Sequence, residues 1–236
     1  MIQKTNQISN GVSKNPHHLG IIMDGNRRWA KENRRPVFEG HIKGLEVLKK
    51  IVRYCRKIGI KNLTVFAFST ENWQRPKKEV SFLMNLCQKA LTNDFKKLVE
   101  NSIRVKIIGE KEKLPKGLTS SLQEIEETTR NNQDMVLNIA LSYGGRAEIA
   151  STIKNLIKNK VSPDKITEKT ISENLWTSDL DLLIRTGKEQ RLSNFLIWQA
   201  AYAELYFSPK YWPDFTEKDL DKALEDFVVR NRRHGK

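Results

Sequence analysis

The sequence is poor in cysteine and lacks any long apolar run. Its 236 residues include two cysteines, Cys55 and Cys87. Both fall at apolar positions of helical patterns, without zinc-site spacing to a histidine, and are predicted to be reduced core residues of a cytoplasmic protein. No apolar stretch approaches the ~20 residues that span a bilayer, and the chain does not open on a hydrophobic signal core. We therefore expect a soluble protein rather than a disulfide scaffold, a zinc-site protein or a transmembrane protein.

Several familiar chemical motifs are also absent. The chain has no G-x-G-x-x-G after its first predicted strand, no Walker loop and no D-D-x-x-D pair on a helix. These absences argue against a dinucleotide enzyme, a P-loop NTPase and the helical prenyltransferases with aspartate-rich motifs. The four histidines stand in unrelated contexts, so no Ser-His-acid or Cys-His nucleophile has local support.

The chain carries a strong excess of positive charge. Its formal net charge is +14 and its pI is near 9.7, which implies anionic partners: phosphate esters, nucleic acid or an acidic membrane surface. The lysines are scattered along most of the chain and do not form one dense block, so most are predicted to lie on solvated helix faces. This scatter weakens the nucleic-acid interpretation.

Residues 1–15 form a polar stretch with almost no apolar side chains and are predicted to be a disordered tail. Residues 16–236 are long enough to bury one full core, and no linker divides them. They alternate between short aliphatic runs and amphipathic stretches of helical period. This alternation predicts a single α/β domain with a mostly parallel central sheet of about six strands flanked by helices.

The strands and helices of this domain can be placed from the hydrophobic pattern. Strands are predicted at Leu19–Met23, Leu63–Phe68, Ile103–Gly109, Met135–Leu141 and Asp181–Ile184. The run Phe195–Phe207 is ambiguous between helix and strand. Helices are predicted at Asn26–Glu32, from Gly40-His41 to Gly59, at Glu79–Asn101, Pro115–Asn131, 147–160 and Glu217–Arg232, with a short helix capped at Thr167.

The stretch His18–Trp29 is the one around which the rest is organised. Its apolar run stops at Asp24-Gly25, where glycine permits a turn, and Asn26 is a good helix N-cap. A carboxylate beside free helical N–H groups and two arginines suits a polyanion held with a divalent cation. The alternative is an ordinary surface turn with a solvated capping cluster, and this stretch alone does not choose between them.

Other polar loops also follow predicted strands, at Asn72, Arg146, Arg185 and Arg191. In a parallel sheet such loops share one edge, where ligands of open α/β folds bind. The apolar face of the helix Glu79–Asn101 is wider than one sheet contact requires. That helix is either thoroughly buried or also lines an apolar cavity.

The chain contains, in order, a series of blocks that resemble the signature sequences of one family, the cis-prenyltransferases, and most closely the undecaprenyl diphosphate synthases of bacteria. The blocks span most of residues 18 to 235. They are Met23–Trp29, Gly40-His41, Ala67–Pro76, Ser142–Arg146, Ile184–Gly187, Arg191–Phe195, Tyr202–Phe207 and Trp212–Phe215.

The resemblance implies a reaction. Members of this family condense an allylic diphosphate, typically farnesyl diphosphate, with successive isopentenyl diphosphate units into a long cis-polyprenyl diphosphate. It further implies Mg²⁺, a homodimer, an apolar tunnel between the sheet and the long helices, and a role for undecaprenyl diphosphate as lipid carrier in cell-wall synthesis. Peripheral contact with a membrane is expected because the product is apolar and the surface is basic.

Site residues follow from the resemblance by position. Asp24 and Asn72 are expected to be catalytic, Asp24 by engaging Mg²⁺ and diphosphate, and Asn72 by assisting proton removal from the isopentenyl unit. Glu204 is expected to be the second acid near Mg²⁺, and Arg233–Gly235 to reach the partner's active site. The expected substrate-binding residues are Gly25, Asn26, Arg27, Arg28, Trp29, His41, Phe68, Ser69, Glu71, Trp73, Arg75, Arg185, Arg191 and Ser193.

The chain departs from the family pattern at four positions. Arg27 stands where many bacterial relatives have glycine, and Val37 where the pattern has a diphosphate-binding arginine. Lys188 replaces a glycine and Gln190 a histidine. Two rival hypotheses are a noncatalytic partner subunit of a heteromeric synthase, which typically loses the Asp-Gly-Asn-Arg block, and a basic nucleic-acid-binding protein, whose binding would fall steeply with salt.

Overall fold

A computed structural model of the chain describes residues 15–95 and 103–230. Residues 1–14 of the predicted tail and the Arg233–Gly235 ending lie outside the described residues. Within the described part, no helix combines the length and the apolar character needed to cross a membrane.

A six-stranded sheet forms the centre of the domain, and all of its strands run parallel. The spatial order of the strands is β3-β4-β2-β1-β5-β6. Strand β1 is buried along its whole length between β2 and β5. The strands are β1 (His18–Ile22), β2 (Asn62–Ser69), β3 (Ile103–Ile108), β4 (Met135–Tyr143), β5 (Leu182–Arg185) and β6 (Glu204–Phe207).

Helices connect the first five strands, as is usual for parallel pairing, whereas a turn-rich segment without an α-helix joins β5 to β6. Among the described residues there are seven α-helices: α1 (Asn26–Glu32), α2 (Val37–Lys57), α3 (Lys77–Lys89), α4 (Lys116–Thr128), α5 (Gly145–Lys158), α6 (Glu168–Asn174) and α7 (Glu217–Val229). Short 3₁₀ segments lie at Thr70–Gln74, Lys111–Lys113, Pro163–Lys165 and Trp212–Asp214, and a π-helical segment Ala90–Phe95 follows α3.

The core lies on both faces of the sheet because successive strand side chains point to opposite sides. Leu19 and Ile21 of β1 belong to the larger cluster, which also contains apolar residues of α2, α3, α4 and α7. Ile22 belongs to the smaller cluster, with Phe195 and Leu196 of the segment before β6. The single α/β domain with a parallel sheet is therefore confirmed.

A buried polar network ties the middle strands together. The His18 Nε2 atom lies 2.7 Å from Thr64 Oγ1, and Asn138 Nδ2 donates to the same hydroxyl at 3.0 Å. His18 Nδ1 lies 3.0 Å from the Asp179 carbonyl oxygen, which identifies Nδ1 as the protonated nitrogen of a neutral ring. Burial lowers the pKa of His18 to about 4, so this ring is neutral near pH 7.

Several predicted boundaries were wrong. Helix α2 begins three residues before Gly40, directly after the extended residue Pro36, so Gly40 and His41 lie inside its first turns. The α-helix predicted to run from Glu79 to Asn101 ends at Lys89, and residues 96–101 of that prediction lie outside the described residues. The ambiguous run Phe195–Phe207 is a turn-rich segment followed by β6.

Candidate active site

The carboxyl ends of β1, β2 and β5 meet at a polar cavity of about 750 Å³. We call it the polar cavity. Its walls also include residues of α1, α2 and α3 and the loop residues Ser193 and Asn194. Of the residues predicted to converge at one edge of the sheet, Asp24, Asn72 and Arg185 line this cavity, whereas Arg146 and Arg191 do not.

Asp24 lies at the turn between β1 and α1. Gly25 has a φ of 108°, and a Cβ there would lie 2.5 Å from Tyr211 Cδ1, so this turn requires glycine. The turn also corrects one prediction: Gly25 is the N-cap residue, and Asn26 is the first residue of α1 without a capping role. The Asp24 carboxylate faces two arginines, with Oδ1 2.9 Å from Arg28 Nη2 and Oδ2 2.8 Å from Arg185 Nη2.

Arg185 ends β5 and carries a guanidinium that is 4% exposed. Its Nη1 donates to Ser193 Oγ at 2.8 Å and to the Arg191 carbonyl oxygen. Its Nε is buried without a hydrogen-bond partner. A buried cation with an unused donor beside a cavity is suited to bind an anionic ligand there.

A row of charged side chains at and beside the wall of the polar cavity alternates in sign. Glu189 Oε1 lies 2.7 Å from Arg28 Nη1, and Glu189 Oε2 lies 2.5 Å from Arg191 Nη1. Together with Asp24 and Arg185 these residues form a line of three arginines and two carboxylates, which we call the charge chain. Burial opposes the charge of Arg28, but the carboxylates of Asp24 and Glu189 outweigh it and raise the Arg28 pKa.

A second charged cluster lies around the buried carboxylate of Glu79. Its Oε1 is 3.0 Å from Arg75 Nη1, 3.8 Å from Arg27 Nε and 3.4 Å from His41 Nε2. The histidine contact lacks the alignment of a hydrogen bond, so His41 Nε2 counts as unpartnered. Burial and the Arg75 charge lower the pKa of His41, against the opposing effect of Glu79.

Unsatisfied polar atoms concentrate at the polar cavity. Among the described residues, four buried side-chain nitrogen or oxygen atoms lack a hydrogen-bond partner, and three of them belong to residues of this wall: Asn26 Oδ1, His41 Nε2 and Arg185 Nε. Asn26 and His41 come from α1 and α2, which pack closely, since a Cβ on Gly40 would lie 2.2 Å from the Asn26 carbonyl oxygen. Orphaned groups at one cavity indicate a ligand site.

Asn72 lies in the 3₁₀ turn after β2 and is held by reciprocal bonds. Its backbone N–H donates to Ser69 Oγ at 3.2 Å, and its Oδ1 accepts from the Ser69 backbone N–H at 3.2 Å. The amide oxygen is therefore engaged, and the amide nitrogen remains for the cavity. Nearby, Glu71 Oε1 accepts from Asn194 Nδ2 at 3.1 Å. Burial opposes ionisation of Glu71, but hydrogen bonds from its own backbone N–H and from the side chains of Asn194, Ser69 and Thr70 outweigh it and lower its pKa.

An apolar cavity of about 120 Å³ adjoins the polar one. The two share six wall residues: Met23, Asn26, His41, Phe66, Ala67 and Leu83. The remaining apolar walls come from α2, α3, β2, β4 and Trp212, and include the predicted Phe68. Polar and apolar binding surfaces are thus contiguous.

Most predicted site residues come together at the polar cavity. Those that line it are Asp24, Gly25, Asn26, Arg27, Arg28, His41, Ser69, Glu71, Asn72, Arg75, Arg185 and Ser193. Arg191 does not line it, but its partner Glu189 also pairs with Arg28 of the cavity wall. Trp29 and Trp73 line neither cavity: the Trp29 indole donates to Asp214 Oδ1 at 2.8 Å, and that of Trp73 to Ser142 Oγ at 2.9 Å.

Glu204 is not brought to Asp24 within one chain. It is the first residue of β6 and lies level with Leu182, at the amino end of β5, whereas the site lies at the carboxyl end. Its Oε2 is 3.1 Å from Arg230 Nη1. Glu204 is three residues from the carboxyl end of β6, and at ~3.3 Å per residue this is a distance of roughly 10 Å along the strand. The predicted metal contact shared with Asp24 is therefore not formed within this chain.

Sequence reasoning missed Glu79, Glu189, Asn194 and Tyr211. The four-residue spacing of Arg75 and Glu79, across the start of α3, was a usable signal. Asn194 belongs to the block Arg191–Phe195 but was not assigned a role. It has a φ of 64° and accepts hydrogen bonds from the Gly145 and Arg146 backbone N–H groups, which hold it beside the site. Nothing in the sequence placed Glu189 between Arg28 and Arg191, because that pairing joins residues 161 positions apart.

Comparison with known proteins decides the family. Residues 22–235 match the Prenyltransf model, which describes undecaprenyl diphosphate synthase. The chain belongs to the undecaprenyl diphosphate synthase family. It is 48% identical to the isoprenyl transferase of Neisseria gonorrhoeae, over 94% of this chain and 90% of that protein. It is 45% identical to that of Aquifex aeolicus, over 94% and 97%.

Solved structures of similar proteins share the fold. The lavandulyl diphosphate synthase of Lavandula x intermedia, crystallised with dimethylallyl diphosphate, matches with a TM-score of 0.89 and 39% identity over 94% of this chain and 99% of that one. A probable undecaprenyl diphosphate synthase of Campylobacter jejuni matches with a TM-score of 0.81 and 35% identity, over 94% and 99%. The predicted enzyme class, a cis-prenyltransferase, is confirmed.

Proposed function

We propose that this family member condenses farnesyl diphosphate with successive isopentenyl diphosphate units in the cis configuration. The product would be a long-chain polyprenyl diphosphate, undecaprenyl diphosphate, which serves as lipid carrier in cell-wall synthesis. One observation carries the proposal: a cavity rich in arginine is continuous with an apolar cavity through six shared wall residues. A prenyl diphosphate has the same division between a charged head and an apolar tail.

The residues present fit Mg²⁺. No group of three or more His, Cys, Asp and Glu side chains in residues 15–95 and 103–230 is arranged to hold a metal ion. Mg²⁺ bound with phosphates needs only one or two protein carboxylates, the other ligands being phosphate oxygens and water. Asp24, which is 29% exposed and faces the polar cavity, is the residue that would hold it. When bound, the metal would stabilise the negative charge that develops on the departing diphosphate.

The arginines divide into two proposed diphosphate subsites. Arg28, together with Gly25, Asn26 and His41, would hold the allylic diphosphate beside the β1–α1 turn. Arg185, Arg191 and Ser193 would bind the isopentenyl diphosphate, since two guanidinium groups and a hydroxyl are well matched to phosphate oxygens. Phosphate oxygens would then replace carboxylates as partners of these arginines.

Asn72 would act by donation and not as the base. Its Oδ1 accepts the Ser69 N–H, so the group left for the ligand is the amide N–H, which can orient a diphosphate oxygen or a water. We propose that this oriented oxygen takes the proton from the isopentenyl unit.

The growing chain would extend into the apolar cavity. At about 120 Å³ the cavity is smaller than the ~300 to 1,000 Å³ of small-molecule pockets. We propose that α3 moves away from the sheet as the chain lengthens and so opens the predicted tunnel.

The predicted homodimer remains a proposal. β6 is the outer strand of the described sheet and is only half-buried. Val228 and Val229, which precede the Arg230 that bonds to Leu205 of β6, are 54% and 78% exposed. An apolar surface of this kind beside an outer strand is suited to cover by a second copy. Light scattering that gives the mass of one chain at micromolar concentration would contradict it.

The predicted peripheral membrane contact also remains a proposal. The formal charge of +14 favours anionic lipid surfaces, and the product is apolar. Sedimentation with phosphatidylglycerol vesicles should fall as salt rises, because ions screen the attraction. Absence of cosedimentation even at low salt would count against it.

The proposed reaction has a direct test. Purified protein incubated with farnesyl diphosphate, labelled isopentenyl diphosphate and Mg²⁺ should give labelled polyprenyl products that chromatography resolves by length. Chelation of the metal should abolish them. A wild-type protein that forms no prenyl product under these conditions would refute the proposal.

A further inference from the structure

Glu189 occupies the position between two arginines that the proposed function assigns to diphosphates. Its Oε1 lies 2.7 Å from Arg28 Nη1 and its Oε2 lies 2.5 Å from Arg191 Nη1. Each carboxylate oxygen of Glu189 thus pairs with one guanidinium group, as two phosphate oxygens would. The hydrogen bond from Arg191 and the charges of both arginines lower the pKa of Glu189, so it is ionised near pH 7.

The backbone around Glu189 is fixed by bonds to another loop. The Gly187 N–H donates to the Lys210 carbonyl oxygen at 2.7 Å, and the Lys188 N–H donates to the Ser208 carbonyl oxygen at 3.4 Å. Lys188, with a φ of 63°, turns the chain directly before Glu189, and its Nζ lies 4.7 Å from the centre of the Tyr211 ring. The backbone directly before Glu189 is therefore held in place by these contacts.

The two ends of the charge chain differ in burial. Arg185 is 4% exposed, and its Asp24 partner is part of the proposed metal site, whereas Arg191 is 61% exposed. A pair with an exposed arginine is weak, because water solvates both ions well. The contact of Glu189 with Arg191 is the one that a more highly charged anion can displace most easily.

We propose that Glu189 is an internal competitor of the diphosphate. In the free protein its carboxylate holds Arg28 and Arg191, and a ligand must displace it to reach them. A ligand that uses both arginines must first displace the carboxylate, which lowers its apparent affinity by a factor set by the strength of the Glu189 contacts. Glu189 thereby sets the affinity of this site for diphosphates. This inference rests on the proposed function.

The test compares binding of inorganic pyrophosphate and orthophosphate, without metal, to the full chain by calorimetry. Glu189→Gln removes the negative charge and keeps the shape of the side chain. It should bind pyrophosphate ~3- to 10-fold more tightly than wild type, and orthophosphate should gain by a similar factor, because both anions must displace the same carboxylate. Glu189→Asp is too short to hold both arginines and should give an intermediate gain, which provides a second variant should the first fold poorly.

The matched control is Glu127→Gln on α4, which removes the carboxylate of an exposed pair with Arg130. This variant should bind both anions as wild type does. Equal or weaker pyrophosphate binding by folded Glu189→Gln would overturn the inference and would assign Glu189 to holding the arginines in place. If wild type forms prenyl product and this result is found, only the inference fails. If wild type neither binds pyrophosphate nor forms product, the proposed function fails with it.

Discussion

Arg185 is a guanidinium that the fold has largely removed from water and left with one unused donor. Its Nη2 donates to Asp24, and its Nη1 donates to Ser193 and to the Arg191 carbonyl oxygen. Such a group requires the planar fork of arginine, because one lysine ammonium cannot reach these partners in the same directions. The shape of this side chain, and not its charge alone, is therefore expected to decide its role.

Arg185→Lys should raise the KM for isopentenyl diphosphate by ~10-fold or more, because the fork that would hold two phosphate oxygens becomes a single point charge. Steady-state kinetics with farnesyl diphosphate saturating would measure this change. Arg104→Lys, on the exposed side of β3, serves as the control for a general effect of the substitution. An unchanged KM in Arg185→Lys would exclude Arg185 from the isopentenyl subsite.

Individual site residues could be predicted where a local motif fixes their position. Asp24 follows a buried strand directly, so its place at the sheet edge follows from the pattern alone. Glu204 could not be placed in this way, since the apolar run around it did not reveal where β6 starts. A shift of three residues along β6 moves a side chain from the carboxyl end of the strand, where the site lies, to the amino end.

At the scale of elements, α3 forms one wall of the apolar cavity, and it is the wall that must move if the proposed chain channel is to open. Cys87, Met84 and Leu91 of α3 and the following segment line the apolar cavity. The α-helix gives way to a π-helical segment at Ala90, an irregularity often found at functional sites.

Cys87→Phe should shorten the polyprenyl product by one or more isoprene units, because the added ring fills the apolar cavity. Overpacking should lower the free energy of unfolding by about 1–3 kcal/mol. Product length by reversed-phase chromatography and urea unfolding would measure the two effects. Asn85→Phe, an exposed position on the same helix, should leave product length unchanged. Wild-type product length from folded Cys87→Phe would place the channel elsewhere.

The types and order of the elements could be predicted from hydrophobic period, whereas their ends could not. Period alone did not reveal that α2 starts at Val37, since Gly40 suggested a loop. The structure gives the reason: Gly40 is required for close approach to the Asn26 carbonyl oxygen, not for a turn. A glycine used for helix packing and a glycine used for a turn look the same in one sequence.

At the scale of the whole molecule, stability should depend on His18, which is buried and neutral among three middle strands. In the folded state its pKa is about 4, against ~6.5 in an unfolded chain. Between these values the unfolded state binds a proton that the folded state does not. The free energy of unfolding therefore falls as pH drops through the window from about 6.5 to 4.

Between pH 7.5 and pH 5, wild type should lose about 2 kcal/mol more than His18→Asn, which has no titrating ring. Urea unfolding of both proteins at the two pH values gives this difference directly, and other titrating groups cancel in the comparison. Equal losses in the two proteins would show that His18 does not remain neutral in the folded state.

Asp24 follows β1, lines the polar cavity, and is the residue on which the proposed reaction depends most. The most direct test of the account is product formation by wild type and by Asp24→Asn, from farnesyl diphosphate and isopentenyl diphosphate with Mg²⁺. Asp134→Asn, which alters an exposed pair with Arg56, is the matched control.

The account predicts Mg²⁺-dependent polyprenyl product from wild type and from Asp134→Asn. It predicts a kcat at least ~100-fold lower in folded Asp24→Asn, because the variant loses the carboxylate that would hold the metal. Undiminished product from Asp24→Asn, or no product from wild type, would contradict it.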